Sequence, residues 1–136
     1  MKQHLGFSLL ELLLVVALIG ILAAIGTPVY LNHVEAARQT DAKNSLSAIA
    51  MKQEEVLVNE GAYFISATSN CNATNSNALQ DAMFGIQNPL SMDSYCYYTE
   101  VPTDANNANG FVASACRLTA TDECFTIDNL NNKVGW

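Results

Sequence analysis

The feature that most constrains this chain is an apolar run near its N-terminus. From Leu12 to Leu31 there are 20 residues without a formal charge. At about 1.5 Å per helical residue, such a run is about 30 Å long, which is the thickness of the hydrocarbon core of a bilayer. One carboxylate, Glu11, lies at the edge of the run. Because a charge is costly in lipid, Glu11 indicates a function that requires it.

The residues around this run form a recognisable pattern. A short leader ends at Gly6, Phe7 follows it, Glu11 lies four residues after Phe7, and Pro28 lies inside the run. The pattern resembles the class III signal and N-terminal helix of type IV pilins and of the related type II secretion pseudopilins. The resemblance covers about residues 6–32.

The resemblance implies how the N-terminus is processed. A membrane prepilin peptidase would remove the leader, residues 1–6, by cutting between Gly6 and Phe7, and would methylate the new amine of Phe7. The apolar helix would then stay attached to the mature protein and anchor it in the inner membrane. Lys2 has no acidic neighbour in the leader, which favours a cytoplasmic N-terminus and an exported C-terminus.

Glu11 has a predicted role in assembly. Phe7 and Glu11 are spaced as i and i+4, so the carboxylate can pair with the amine that cleavage creates. In a fibre, Glu11 of an incoming subunit would pair with the Phe7 amine of a neighbour. An unpaired carboxylate is heavily penalised in an apolar core, so this pair would set the register between subunits.

Pro28 is predicted to weaken the helix. Proline has no N–H, and its ring clashes with the carbonyl four residues back, here that of Ala24. We therefore expect a weak stretch over residues 20–28, with a kink in the isolated subunit. The resemblance implies that this stretch can lose helicity in the fibre.

After Pro28 the pattern becomes that of an amphipathic helix in water. Apolar positions recur at steps of three and four, and this stripe should pack against a sheet. Asn59 and Gly61 are typical of a helix end. The sequence predicts one helix over residues 7–58, about 78 Å long, whose part 7–31 spans the membrane and forms the fibre core. The expected stripe consists of Val34, Ala37, Ala42, Leu46, Ile49, Gln53, Val56 and Leu57.

Residues 59–136 are predicted to form a globular head. Its first part, 59–94, is irregular, with a candidate short helix at 79–84. Three β-prone segments follow, at residues 95–101, 111–118 and 124–128. Joined by short polar loops, they would form an antiparallel meander that covers the helix stripe with one face. The predicted fold class is α+β, with a long N-terminal helix packed on this meander, as in pilins.

The head contains four cysteines, Cys71, Cys96, Cys116 and Cys124. An even number downstream of an export segment indicates two disulfides in an oxidising compartment. A hairpin centred near residue 106 would place Cys96 opposite Cys116 and leave Cys71 for Cys124. A hairpin centred at residue 120 would instead oppose Cys116 and Cys124 and leave Cys71 for Cys96. Both pairings fit the sequence.

Charge and motifs argue against several classes of function. The chain has 6 Lys and Arg against 13 Asp and Glu, a net charge of −7. The soluble part has no basic cluster, so nucleic-acid binding is expected only as a property of the assembled fibre. The chain has no G-x-S-x-G, no H-E-x-x-H and no Gly-rich phosphate loop. The cysteine spacings contain no C-x-x-C pair. We predict no enzyme activity, cofactor or metal site.

The leading interpretation is a structural subunit of a type IV pilus. The subunit would wait in the bacterial inner membrane and polymerise with itself and other pilins into an extracellular filament. The resemblance implies partnership with the assembly machinery and a role in adhesion, twitching motility or DNA uptake. One alternative is a type II secretion pseudopilin in a short periplasmic fibre, but the four cysteines favour a pilin. Another is a monomeric membrane-anchored binding or enzymatic domain, which leaves Glu11 and the long helix unexplained.

Overall fold

The structure is a computed structural model that describes residues 7–85, 87 and 89–136. The predicted leader, including Gly6 of the expected cleavage point, lies outside the described residues. The chain divides into two compact units, with the boundary between Ala37 and Arg38. The described residues form the elements α1 (Leu9–Glu60), α2 (Ala73–Phe84), β1 (Tyr95–Glu100), a 3-10 turn (Ala105–Asn107), β2 (Val112–Arg117), β3 (Ala120–Asp128) and β4 (Lys133–Val134).

Helix α1 has 52 residues. It begins and ends two residues later than the span predicted from the sequence. Gly61 ends it with φ at +79°, and its N–H donates to the Leu57 carbonyl at 2.9 Å. This left-handed conformation is accessible to glycine at little cost and is a common way to end a helix.

The four strands form one antiparallel sheet in the order β1-β2-β3-β4. The predicted α+β class, a long helix followed by an antiparallel meander, is confirmed. The predicted start of the third strand at residue 124 is wrong, because β3 begins at Ala120 and pairs there with Arg117. Only Leu118 and Thr119 separate the two strands, so pairing reaches into the expected loop. Strand β4 was not predicted, since two residues are too few to show an alternating pattern.

The core of the second unit lies between α1, α2 and the sheet. The helix contributes Ala42, Leu46 and Ile49, strand β1 contributes Tyr97, and Phe111 lies directly before β2; all five are almost completely buried. Five of the predicted stripe positions are buried, namely Ala42, Leu46, Ile49, Gln53 and Val56. Ser45 joins them, whereas Ala37, also predicted for the stripe, is exposed. Burial therefore follows the helical period from Ala42 onward.

The connection after α1 is held to the helix by one buried amide. Gln53 is completely buried, and its Nε2 donates to the Phe64 carbonyl at 2.7 Å. The Phe64 N–H donates back to Gln53 Oε1 at 2.9 Å. Thr99 Oγ1, on β1, also donates to the Phe64 carbonyl, at 2.9 Å. These contacts join the helix, the connection and the sheet.

The outer edge of β1 is covered by side chains. The Tyr97 N–H donates to Ser76 Oγ at 2.8 Å, and the Thr99 N–H donates to Ser66 Oγ at 3.0 Å. Ser66 and Ser76 are both buried. An uncovered sheet edge can pair with another chain, so these serines protect β1 from such pairing.

Helix α2 begins earlier than predicted. The sequence predicts a short helix at residues 79–84 within an irregular segment, but α2 starts at Ala73. Asn72 caps it, because its Oδ1 accepts a hydrogen bond from the Asn75 N–H at 2.7 Å. An asparagine cap satisfies a backbone donor at the helix start and offsets the low helix propensity of the residues that follow. At the other end, Gly85 with φ at +59° donates its N–H to the Asp81 carbonyl.

Candidate functional site

The first unit presents an apolar surface that nothing covers. From Phe7 to His33 every residue of the described chain is exposed. Leu9 and Leu22 are 82% and 71% exposed. By length and composition, α1 could cross a membrane, and its most apolar window has a mean hydropathy of 2.8. Fully burying one large aliphatic side chain contributes about 1.5–3 kcal/mol. This surface is therefore suited to lipid or to other apolar helices.

The start of α1 places the one acid of this surface in its first turn. Phe7 and Ser8 precede the helix, and the Ser8 carbonyl accepts hydrogen bonds from the N–H groups of Glu11 and Leu12 at 3.1 and 3.2 Å. Glu11 is exposed. A carboxylate in the first turn interacts favourably with the positive end of the helix dipole. Phe7 is 80% exposed.

Pro28 lies inside α1, which continues through it. The proline leaves the Ala24 carbonyl without its backbone donor. One residue earlier, Thr27 Oγ1 donates to the Ala23 carbonyl at 2.8 Å. The stretch is thus helical in this structure but has one backbone hydrogen bond fewer than a regular helix. The predicted kink and the loss of helicity in a fibre stay predictions.

The four cysteines form two adjacent disulfides, Cys71–Cys96 and Cys116–Cys124. Both hairpin registers considered for the sequence occur together, because Cys116 lies opposite Cys96 on one side and Cys124 on the other. Register alone therefore does not select the pairing. The position of Cys71 does, since it lies beside Cys96 with the two Cα atoms 5.3 Å apart.

Each Lys and Arg of the described chain has a partner. Lys52 pairs with Glu55 at 2.6 Å and Arg117 with Glu123 at 3.3 Å. The ammonium of Lys43 lies 4.7 Å from the ring centre of Phe125, and that of Lys133 lies 4.3 Å from the ring of Trp136. Arg38 is also engaged. Sequence reasoning did not find the ring contacts of Lys43, because its partner lies far along the chain.

The described residues contain no group of three or more side chains suited to hold a metal ion. Asp104, an acid in the loop between β1 and β2, accepts a hydrogen bond from the Asn106 N–H at 2.9 Å. This contact caps the 3-10 turn. The carboxylate is therefore used to shape a loop.

Two protein-family models match the chain. The prokaryotic N-terminal methylation motif matches residues 1–27. A second model, described as type IV minor pilin ComP, DNA uptake sequence receptor, matches residues 28–128. Together the two models span the apolar helix and most of the head.

Several curated proteins are similar to parts of the chain. A fimbrial protein of Pseudomonas aeruginosa is 39% identical over 69 residues, which is 51% of this chain and 44% of that protein. The fimbrial protein EcpB of Eikenella corrodens is 34% identical over 92 residues, covering 67% of this chain and 57% of that protein. The type IV major pilin protein PilA of Myxococcus xanthus is 40% identical over 58 residues, or 43% of this chain and 26% of that protein.

The chain thus spans about half the length of the curated relatives it matches, or less. No solved structure matches it significantly.

Proposed function

This chain belongs to the type IV pilin family, and we propose that it is a structural subunit that polymerises through α1 into an extracellular filament. The observation that carries the proposal is the uncovered apolar surface of residues 7–33. Such a surface is stable in a bilayer before assembly and among neighbouring helices afterwards. A monomeric anchored domain would use the bilayer alone and would need no acid at its edge.

The proposal includes processing at the N-terminus. A prepilin peptidase of the inner membrane removes residues 1–6 and methylates Phe7. Phe7 precedes the first residue of α1 in this structure, so the residue that follows the cut lies outside the helix. The filament grows outward from the inner membrane with the help of an assembly machinery, and the head, which begins after Glu60, faces the outside.

Glu11 sets the register between subunits in this proposal. Its carboxylate is the one formal charge in the described chain from Phe7 to Asn32. Inside a bundle of apolar helices an unpaired carboxylate is strongly unfavourable, and the Phe7 amine of a neighbouring subunit is a partner of opposite charge. Subunits out of register would leave both charges without a partner.

The test of assembly combines cell fractionation with mass spectrometry. Filaments are sheared from cells, and the N-terminus of the chain is measured in the sheared and the membrane fractions. Methylated Phe7 in the sheared fraction is the expected result. Methylated Phe7 confined to membranes would instead favour a pseudopilin in a short periplasmic fibre. A mature protein that retains Met1 contradicts both fibre functions.

Glu11→Ala tests the register role. The variant should insert into the membrane and be processed as the wild type is, but it should yield at least tenfold less sheared filament. Glu60→Ala is the matched control, because it removes the same charge from the opposite end of α1. Wild-type filament yield from Glu11→Ala would show that the carboxylate does not set the register.

Capture of DNA is a second candidate function. It is favoured by one observation, the match of residues 28–128 to a family described as a DNA uptake sequence receptor. The charge balance argues against a general phosphate-binding surface, because the Lys and Arg side chains of the second unit are already engaged and the net charge is −7. DNA binding driven by phosphate contacts weakens steeply with salt.

An electrophoretic shift of duplex DNA by the detergent-solubilised full chain tests this candidate at about 50 and 200 mM salt. From the charge balance we expect no shift. A retarded band that weakens with salt would establish DNA binding and make capture the better description.

A further inference from the structure

An open depression on the head lies beside the two disulfides. Its volume is about 470 Å³, and it is lined by Ser69, Asn70, Cys71, Asn72, Tyr98 and Cys116. Small-molecule sites in proteins are typically about 300–1,000 Å³. Tyr98 and Cys116 belong to neighbouring strands, and the other residues belong to the segment that leads into α2. The depression is therefore of a size that one or two sugar rings would fill.

The walls of this depression are held in place. The disulfide Cys71–Cys96 fastens the segment before α2 to β1, and Cys116–Cys124 joins β2 to β3. The Nδ2 of the buried Asn75 side chain lies within hydrogen-bond distance of three acceptors, the Thr68 carbonyl and hydroxyl at 2.8 Å and the Asn70 carbonyl at 2.7 Å. A site whose walls are already ordered loses less conformational entropy when a ligand binds.

The polar side chains around the depression have unused hydrogen-bonding groups. Within the described part of the chain, the Ser69 hydroxyl, the Asn70 amide and the Tyr98 hydroxyl make no hydrogen bond. Asn72 uses its Oδ1 to cap α2, and its Nδ2 donates to none of the described residues. Amides and hydroxyls together provide both donors and acceptors. The depression can therefore bind a ligand that also carries both.

The chemistry of the lining selects the class of ligand. None of the six lining residues has a charged side chain, so no basic side chain of the depression can neutralise a phosphate backbone or an acidic sugar. The ring of Tyr98 is half-buried and supplies an apolar surface next to the polar groups. A neutral pyranose has that combination, with hydroxyls at its rim and C–H groups on its faces.

From this arrangement we infer that the depression binds a neutral saccharide unit of a surface glycan. The Tyr98 ring stacks against the face of the sugar, and the free groups of Ser69, Asn70 and Asn72 bond its hydroxyls. The inference goes beyond filament assembly, because nothing in α1 contributes to the depression.

The test uses the full chain in detergent, so that it does not depend on filament formation. Saturation-transfer NMR is recorded with methyl glycosides of glucose, galactose, mannose, N-acetylglucosamine and N-acetylgalactosamine. An acidic sialoside and duplex DNA serve as further probes. At least one neutral glycoside should bind saturably, and the acidic sialoside should bind more weakly than it.

Two variants locate the binding. Asn70→Ala should weaken it by about fivefold, as expected for one lost hydrogen bond. Tyr98→Val keeps a strand-forming residue on β1 and should weaken binding further, because the ring is removed. Asn77→Ala is the matched control, an exposed asparagine on α2 outside the depression, and should bind like the wild type.

Several results would overturn the inference. One is that no neutral glycoside binds to the folded wild-type chain. Another is that a glycoside binds equally well to Asn70→Ala and Tyr98→Val. If duplex DNA binds instead, and the same two variants weaken that binding, the depression is a nucleic-acid-binding site. These measurements do not require filaments, so a failure of the assembly proposal would not affect them. The two proposals can therefore fail independently of each other.

Discussion

At the scale of single residues, Gln53 helps to join α1, the segment that follows it and the sheet. Its amide forms two hydrogen bonds with the backbone of Phe64, and the same Phe64 carbonyl accepts a third from Thr99. All of these groups are buried or partly buried. A buried donor or acceptor that loses its partner costs about 1–3 kcal/mol. The side chain therefore contributes more than its place in an apolar stripe would suggest.

Gln53→Leu should lower the free energy of unfolding by about 2–4 kcal/mol, because the N–H of Phe64 is left buried without a partner. The measurement is denaturant unfolding of the detergent-solubilised chain, followed by tyrosine fluorescence. Lys52→Leu, one position earlier, removes only a surface ion pair and should cost less than about 1 kcal/mol. Equal losses in the two variants would contradict the role given to the amide.

The sequence could predict that Gln53 is buried but not what it binds. Its position follows from the three- and four-residue steps of the stripe. Phe64 lies 11 residues further along, in a segment without a regular period. A hydrogen bond to the backbone of such a segment depends on where the tertiary fold places it, so no local pattern reveals it.

Tyr97 links stability to alkaline pH. Burial raises the pKa of its hydroxyl, the neighbouring Ser45 side chain lowers it by less, and nearby Asp41 and Tyr95 add to the rise. The hydroxyl donates to the Ser91 carbonyl at 3.0 Å. Because the pKa is higher in the folded state than the usual value of about 10, the neutral form contributes stability below that pH. This contribution is lost as the pH rises through the folded-state pKa.

We therefore expect the wild-type free energy of unfolding to fall above about pH 10, and Tyr97→Phe to reduce the steepness of that fall. At neutral pH the variant should lose only about 1 kcal/mol, since the ring still packs and one hydrogen bond is removed. Urea titrations at neutral pH and at several alkaline pH values measure the loss of stability and the steepness of the fall. Tyr63, whose pKa is raised by burial and by its contact with Glu54, would account for part of the slope that remains. An unchanged slope in Tyr97→Phe would contradict the prediction.

At the scale of elements, α1 combines an apolar half with a half that packs on the head. Pro28 lies in the apolar half, at a place where the helix lacks one backbone hydrogen bond. A proline inside a helix costs about 3 kcal/mol relative to alanine. A helix that only anchored a domain would be more stable with alanine at position 28. The proline is therefore expected to matter for what happens when subunits assemble.

Pro28→Ala tests that expectation. The variant should make the helix of the isolated subunit more stable, seen as slower amide hydrogen exchange around Ala24, and should lower filament yield or extensibility. Thr27→Ala is the control, because it removes only the side-chain bond to the Ala23 carbonyl. Filaments of normal yield and extensibility from Pro28→Ala would show that a weak point is not required.

The elements of the head were predictable to different degrees. The three main strands follow from β-branched and aromatic runs, whereas the early part of β3 does not, because Thr121-Asp122-Glu123 has the composition of a loop. Its strand conformation comes from pairing with β2. Likewise α2 begins within Asn- and Ser-rich sequence because Asn72 caps it. In both places a neighbour overrode local propensity.

At the scale of the whole molecule, the head relies on cross-links as well as on its core. The two disulfides enclose sequence separations of 25 and 8 residues. In the chain-entropy description, such loops correspond to about 3.5 and 2.5 kcal/mol of stabilisation. Cys116 and Cys124 lie on strands that are already paired, whereas Cys71 lies on a segment with no regular structure. The longer loop and the irregular segment around Cys71 therefore both predict that Cys71–Cys96 stabilises the head more than Cys116–Cys124 does.

The double variant Cys71→Ser/Cys96→Ser should lose about 1 kcal/mol more stability than Cys116→Ser/Cys124→Ser. Denaturant unfolding of both proteins gives the comparison, and the reverse order would contradict it.

Double variants are needed because the remaining cysteines of a single variant can exchange disulfide partners. Cys124→Ser leaves a thiol on Cys116 directly opposite Cys96. That thiolate can attack the Cys71–Cys96 bridge, form Cys96–Cys116 and release the Cys71 thiol. Peptide mapping of Cys124→Ser should therefore find the Cys96–Cys116 bridge, whereas a map with only Cys71–Cys96 would show that the adjacent strands hold these cysteines apart.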